Sequence, residues 1–235
     1  MSAPLRGVEE QILETADVPL SIEPGRLRSL LVVAPHPDDE VIGAGGLLKA
    51  VRDSSRPMQV PVRVVVVSDG AASHPGSGVP PRELAAMRRA ESRAAMAHLG
   101  VEDVRFCGFA DGQGPRWQDD ADARARFRGA VSGQWGAVCL PGAADAHPDH
   151  VAARALARRH VRADLWLGYT VWPKGEAPAP EAEYRLTAGE RAAKREALRL
   201  YRSQMGAIAD DPGGFTIDAD LFKRFTGAVE AFSLS

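Results

Sequence analysis

At 235 residues the chain has the size of one generous domain, and a second independent core would leave both halves small. Its 45% hydrophobic and 26% charged residues match an ordinary globular protein, with no run near the roughly 18 uninterrupted apolar residues of a membrane span. Lys plus Arg at 29 against Asp plus Glu at 31 gives a net charge of -2, which excludes a global pull toward nucleic acid or anionic lipid and points to a small-molecule partner.

The first 28 residues are broken by Pro4, Pro19 and Pro24 and read as an N-terminal extension, with one helical turn expected near residues 9–15 and no signal-peptide pattern. The domain proper is expected over 29–235. Residues 29–34 (SLLVVA) and 60–67 (VPVRVVVV) are continuous apolar runs of the kind buried on both faces of a parallel sheet. Between them, Leu47, Leu48 and Val51 fall on one face of a helix over 43–53. The alternation continues with a helix over 82–99 ending at Gly100, a strand over 104–109, a helix over 121–131 and a short strand over 137–140. A helix over 151–160 and a strand over 165–171 follow. Thr187 and Glu190 form a capping box for a last helix over 187–204. Strands alternating with helices imply right-handed crossovers, and so a single Rossmann-like α/β domain with a mostly parallel sheet and helices on both faces. Three irregular loops, 69–81, 110–120 and 173–185, leave strand ends, where such sheets bind ligands. Cys107 and Cys139 sit inside apolar runs and read as reduced core thiols, in keeping with a cytoplasmic protein.

Two clusters carry the chemistry. Pro35-His36-Pro37-Asp38-Asp39-Glu40 follows the first strand directly. His36 and Asp39, three apart on a tight turn, can converge on one metal ion, while Asp38 points elsewhere and is free to act on a water. An acidic helix cap alone would explain the carboxylates but not the histidine. His147-Pro148-Asp149-His150 again stands just past a strand and at a helix start. His147 and His150 share a face of that turn, and Asp149 can fix the tautomer of one imidazole. Together the clusters make a two-histidine, one-carboxylate site whose open position suits a catalytic rather than a structural metal.

PHPDDE and HPDH, in this order and far apart, resemble the two signatures of the PIG-L/LmbE-like family of metal-dependent N-acetylglucosaminyl deacetylases. Weaker echoes are Ser68-Asp69-Gly70, Arg88-Arg89-Ala90-Glu91 with Leu99-Gly100, Phe109-Ala110-Asp111-Gly112 and Tyr201-Arg202-Ser203-Gln204. The resemblance spans nearly the whole core. It implies removal of acetyl from an N-acetylated amino sugar or its conjugate, with Zn2+ (or Fe2+) held by His36, Asp39 and His150. Asp38 would be the general base, His147 would stabilise the oxyanion and Asp149 would orient it. It also implies Arg88 and Asp111 as sugar contacts, and Trp117 and Trp172 are placed in loops where an indole could stack on a sugar ring, with Arg82 nearby. An amide is a poor electrophile, so a metal that polarises its carbonyl and a base beside it are what its hydrolysis needs.

Three other readings compete. Gly43-Ala44-Gly45-Gly46 suggests a nucleotide-binding oxidoreductase, but the full glycine pattern needs glycine at 48, where this chain has Leu48. A sugar-binding protein that had lost its chemistry should show damaged motifs, yet both are intact. A non-haem iron oxygenase shares the ligand set but needs a second open position. A non-sugar amide remains the alternative substrate for a metal-dependent amidohydrolase.

Overall fold

A computed structural model describes residues 18–54, 60–176 and 178–234. The helical turn expected near residues 9–15 lies outside the described residues. In chain order the elements are β1 (Leu20–Ser21), β2 (Leu30–Ala34), α1 (Asp39–Asp53), β3 (Val62–Ser68), α2 (Pro81–His98), β4 (Asp103–Phe109), α3 (Ala121–Val131) and β5 (Gln134–Pro141). There follow α4 (Pro148–His160), β6 (Arg162–Tyr169), β7 (Ala182–Arg185), α5 (Ala188–Arg199), α6 (Ala219–Phe225) and β8 (Val229–Leu234), with short 3-10 turns at Pro24–Arg26, Gly114–Asp119 and Arg202–Met205.

The strands form one eight-stranded sheet in the order β1-β7-β8-β6-β5-β2-β3-β4. The five strands from β6 to β4 are parallel to their neighbours, as their apolar runs require. Alternation along the central strands explains why helices cover both faces. Leu30, Val32, Val64 and Val66 point into a core with α1, α2 and α5, whereas Leu31, Val33, Val65 and Val67 point into a second core with α3 and α4. No helix among the described residues is long and apolar enough to cross a membrane.

The sequence pattern did not anticipate the antiparallel edge. β8 pairs antiparallel with both β6 and β7, and β1, within the stretch read as an extension, pairs parallel with β7. The last long helix is also shorter than its periodicity suggests. It ends at Arg199, because the chain turns at Leu200 and Tyr201 to bring the Tyr201 hydroxyl to the Glu40 carboxylate. At the other end of the chain, α1 starts four residues before the apolar periodicity does, at Asp39, so the acidic residues of the first cluster occupy its first turn.

The glycines at 43–46 lie inside α1 and serve packing. A Cβ on Gly43 would stand 2.5 Å from the Tyr169 ring, and one on Gly46 would stand 2.4 Å from Leu186. The helix is also broken at Ala44 (φ -148°, ψ 17°). Glu230 bridges the break by accepting from the Gly46 and Leu47 N–H groups at 2.7 and 2.9 Å. Lys194 donates to the Ile42 carbonyl at 2.9 Å and to Glu230 at 2.7 Å.

Candidate active site

The chain winds outward from β2 through β3 to β4, then returns to β5 on the other side of β2 and continues to β6. The direction therefore reverses between β2 and β5, and in open parallel sheets the ligand crevice forms at the carboxyl ends flanking that reversal. The first cluster leaves the end of β2 and the second leaves the end of β5, so the topology brings them together.

His36 Nδ1 lies 3.2 Å from Asp39 Oδ2, and His150 Nε2 lies 3.2 Å from the same oxygen. Ligand atoms of His36, Asp39 and His150 fall within 4.8 Å of one another, and a second group, His36, His147 and Asp149, meets the same criterion. In the first group His150 is fully buried and its Nε2, although 3.2 Å from Asp39 Oδ2, makes no well-directed hydrogen bond, an arrangement that a cation held between the two groups would relieve. In the second group the carboxylate is already satisfied. Asp149 accepts from the Gly112 and Gly114 N–H groups at 2.8 and 2.7 Å.

The outer nitrogens of the two imidazoles also face carboxylates. His36 Nε2 lies 3.0 Å from Asp111 Oδ1 and 3.1 Å from Asp149 Oδ2. His150 Nδ1 lies 3.0 Å from Asp145 Oδ2. Carboxylates behind metal-binding histidines fix ring orientation and raise ligand basicity. Burial opposes the charged form of His150, but Asp39 and Asp145 outweigh it and bring the ring up to about 9. Burial likewise opposes the charge on His36, and hydrogen bonds to Asp111, Asp149 and Asp39 raise it well above the usual histidine range. Asp39 is driven the other way. Burial works against its carboxylate, and the facing His150 and His36 hold it far below the usual range. Two imidazoles set among so many carboxylates form a donor set suited to a divalent cation.

Asp38 has a φ of 125°, the one positive value outside glycine among the described residues. Such strain persists only where the surroundings over-determine it. Its N–H donates to Glu40 Oε2 at 3.0 Å, its carbonyl accepts from Val41 and Ile42, and its carboxylate takes Arg88 Nη2 at 3.1 Å. Burial pushes the Asp38 carboxyl up to about 8, with the Arg88 charge pulling against it.

His147 caps α4. Its Nδ1 accepts from the Asp149 N–H at 3.2 Å, which leaves Nε2 to carry the proton of the neutral ring. Burial and the neighbouring His36 and His150 charges lower its pKa. The expected orienting contact between Asp149 and His147 is thus corrected. It comes from the Asp149 backbone, because the carboxylate is turned to His36 and the 110–114 loop.

Of these groups His36, Asp38, Asp39, Asp111 and His147 line a cavity of about 780 Å³. Asp38, Asp39, Asp111 and Trp172 line it as expected. Arg88 also lines it, but its guanidinium is committed to Asp38, to the Pro37 carbonyl at 2.5 Å and to the Gly70 carbonyl at 3.1 Å, so it holds the turn rather than a sugar. Trp117 is a core residue. Its ring packs on Phe109 and its Nε1 donates to the Ala110 carbonyl at 2.8 Å. Arg82 is exposed and does not line the cavity. Loops 69–81 and 110–120 contribute wall, but 173–185 does not, because β7 draws it to the sheet edge against β8.

Asp145 was not singled out from the sequence, although it organises the second cluster. Besides His150 it accepts from the N–H groups of Val171, Trp172 and His147 at 2.8, 3.2 and 3.2 Å. Its only sequence signal is an aspartate two residues before HPDH. Phe215 and Leu221 of the cavity wall were missed as well, since residues 206–218 carry no periodicity.

Residues 31–161 match the family described as PIG-L, GlcNAc-PI de-N-acetylase. A 1D-myo-inositol 2-acetamido-2-deoxy-alpha-D-glucopyranoside deacetylase of Actinosynnema mirum is 34% identical over 189 residues, covering 66% of this chain and 63% of that protein. The chain spans less than two thirds of the length of the curated relatives it matches. Among solved structures, the N,N'-diacetylchitobiose deacetylase of Pyrococcus horikoshii superposes with a TM-score of 0.69 at 21% identity, covering 99% of this chain and 94% of that one. The 4-carboxy-2-hydroxymuconate hydratase of Pseudomonas putida also shares the fold, with a TM-score of 0.57 at 21% identity over 76% of this chain and 85% of that one. Fold alone therefore does not select the reaction.

Proposed function

This chain belongs to the PIG-L family, and from that we propose that it is a metal-dependent hydrolase removing an acetyl group from an N-acetylated amino sugar or its conjugate. The observation that carries the proposal is the convergence of buried His150, Asp39 and His36 at the reversal point of the sheet, with His150 Nε2 3.2 Å from Asp39 Oδ2 and no well-directed hydrogen bond to it. His36, Asp39 and His150 would hold one divalent ion, zinc or ferrous iron, whose chemistry is to polarise an amide carbonyl and acidify water. Asp38 is the general base, taking a proton from the attacking water and returning it to the departing amine nitrogen. Arg88 and Glu40 keep its carboxylate aimed into the cavity. His147 presents Nε2–H to the oxygen that gains negative charge, and being neutral it needs no protonation to do so. Asp149 and Asp145 act as positioning residues through His36 and His150. Asp111 and Trp172 remain the substrate contacts on this reading. Unpaired buried Cys107 and Cys139 fit a reducing compartment such as the cytoplasm.

The test is to incubate the purified protein with a panel of N-acetylglucosamine conjugates and measure free amine. Release that stops with a chelator and returns with zinc or ferrous iron is expected. Chelator-sensitive cleavage of acetylated peptides, with no amine from any sugar conjugate, would move the protein to another amidohydrolase class.

A further inference from the structure

The cavity lining is chemically of two kinds. Every charged side chain that lines it, Asp38, Asp39, Arg88 and Asp111, lies beside His36 or is joined to a neighbour of it. The rest of the wall carries the apolar side chains of Ile42, Trp172, Phe215 and Leu221, with neutral Ser73, Gln204 and Thr216 among them. Its volume of about 780 Å³ lies in the upper part of the roughly 300 to 1,000 Å³ range of small-molecule sites, leaving room beyond one N-acetylhexosamine ring.

That wall is preorganised. The Trp172 ring meets Phe215 edge to face at 5.7 Å and 85°, and meets buried Phe225 at 6.0 Å and 88° from another side. The Trp172 backbone N–H donates to Asp145, so the same carboxylate that holds His150 also fixes the main chain from which the indole projects. Phe215 N–H donates to the Ser73 carbonyl at 2.8 Å, tying the segment before α6 to the loop after β3. The carboxylates nearest this junction are occupied, Asp211 by the Gly76 N–H and Asp210 by the Gly78 N–H. Both terminal nitrogens of Arg88 are engaged, and its remaining donor, Nε, is buried away from the cavity surface.

We propose that the group attached to the amino sugar is an uncharged apolar ring, seated on Trp172 and Phe215, and that these two residues set the specificity. The inference rests on the amino-sugar deacetylase reading above and deepens it. An apolar ring gains from leaving water against a rigid aromatic wall. A carboxylate or phosphate in the same place would lose its hydration, because Arg88, the one arginine or lysine among the lining residues, is already turned to Asp38 and two carbonyls, and Arg224, which stacks on the Trp172 ring at 5.5 Å, donates to the Val171 carbonyl.

The test compares phenyl and cyclohexyl N-acetylglucosaminides with carboxymethyl and phosphoryl counterparts. Expected is a kcat/KM about 10-fold or more higher for the two apolar conjugates, and a loss of most of that preference in Trp172→Ala and Phe215→Ala. The preference ratio is measured within each variant, so a general loss of activity cancels. Equal kcat/KM for apolar and anionic conjugates, or a preference unchanged in both variants, would overturn the inference while leaving the deacetylase reading intact. If no conjugate releases amine, the deacetylase reading falls instead, and equilibrium binding of the phenyl against the carboxymethyl conjugate decides the aglycone question, equal affinity overturning it.

Discussion

Replacing Glu230 by Leu should destabilise the protein strongly, although Glu230 does not line the cavity. The carboxylate is 4% exposed, accepts two backbone N–H groups from the far side of the break in α1, and pairs with Lys194. Its loss strands both N–H groups and leaves an ammonium buried with only the Ile42 carbonyl. Removing one partner of a buried pair costs about 3 to 5 kcal/mol, to which the stranded N–H groups contribute. At about 2 to 4 °C per kcal/mol for a chain of this size, Tm should fall by roughly 6 to 20 °C. Lys194→Met should cost less, because Glu230, although it loses its counter-ion, keeps both N–H donors, and the Ile42 carbonyl loses one donor. The double variant should lose less than the sum, since the two groups are in contact. Thermal denaturation followed by circular dichroism, with chelator present so that ligand linkage is held constant, reads all three. A Tm loss under 3 °C for Glu230→Leu, or strict additivity in the double variant, would refute the idea that this pair holds the broken helix together.

Asp38→Asn keeps the size of the side chain but cannot take a proton at neutral pH, so it should retain metal nearly as wild type does and lose about 100-fold or more in rate; near-normal activity would reduce Asp38 to a helix cap. His150→Ala should abolish stoichiometric metal by elemental analysis. Asp145→Asn should weaken metal affinity by about 10- to 100-fold in chelator competition, and a wild-type affinity there would deny Asp145 its hold on His150.

The two clusters were legible because each is contiguous and stands at the end of an apolar strand run, so the order of strands places them together once the sheet is assumed. Asp145 was not, because two of its four contacts, to the Val171 and Trp172 N–H groups, are set only when β5 and β6 lie side by side. Trp117 shows the reverse failure. An indole in an irregular segment after a strand reads alike whether it faces ligand or core, and only the carbonyl of Ala110 beneath it decides. Loop 173–185 misled for a topological reason. It leaves a strand end, but the four-residue β7 within it has too little pattern to betray that it pairs at the sheet edge. The segment that contributes Phe215 to the wall is anchored by backbone hydrogen bonds from Phe215 to Ser73 and from Ile217 to Gln204, and no sequence period reports such contacts.

The weaker sequence echoes acquire a physical meaning at Asp38. Backbone strain of its kind costs on the order of 1 to 3 kcal/mol and would relax if the turn stood alone. Here Arg88 of α2 grips its carboxylate, and Glu40 grips its N–H. Glu40 is itself fixed by the Ser92 hydroxyl of α2 at 2.5 Å and by the Tyr201 hydroxyl. Tyr201 is held in turn because Ser203, two residues on, binds Glu91 through both its N–H and its hydroxyl at 2.8 and 2.6 Å. Arg88 and Glu91 therefore act with Tyr201 and Ser203 as one brace, although more than a hundred residues separate the two segments in sequence. The aim of the Asp38 carboxylate is a property of three elements meeting rather than of the PHPDDE turn. It follows that changes at Tyr201 or Ser203, which do not line the cavity, should reach the chemistry through Asp38 while leaving His36, Asp39 and His150 in place.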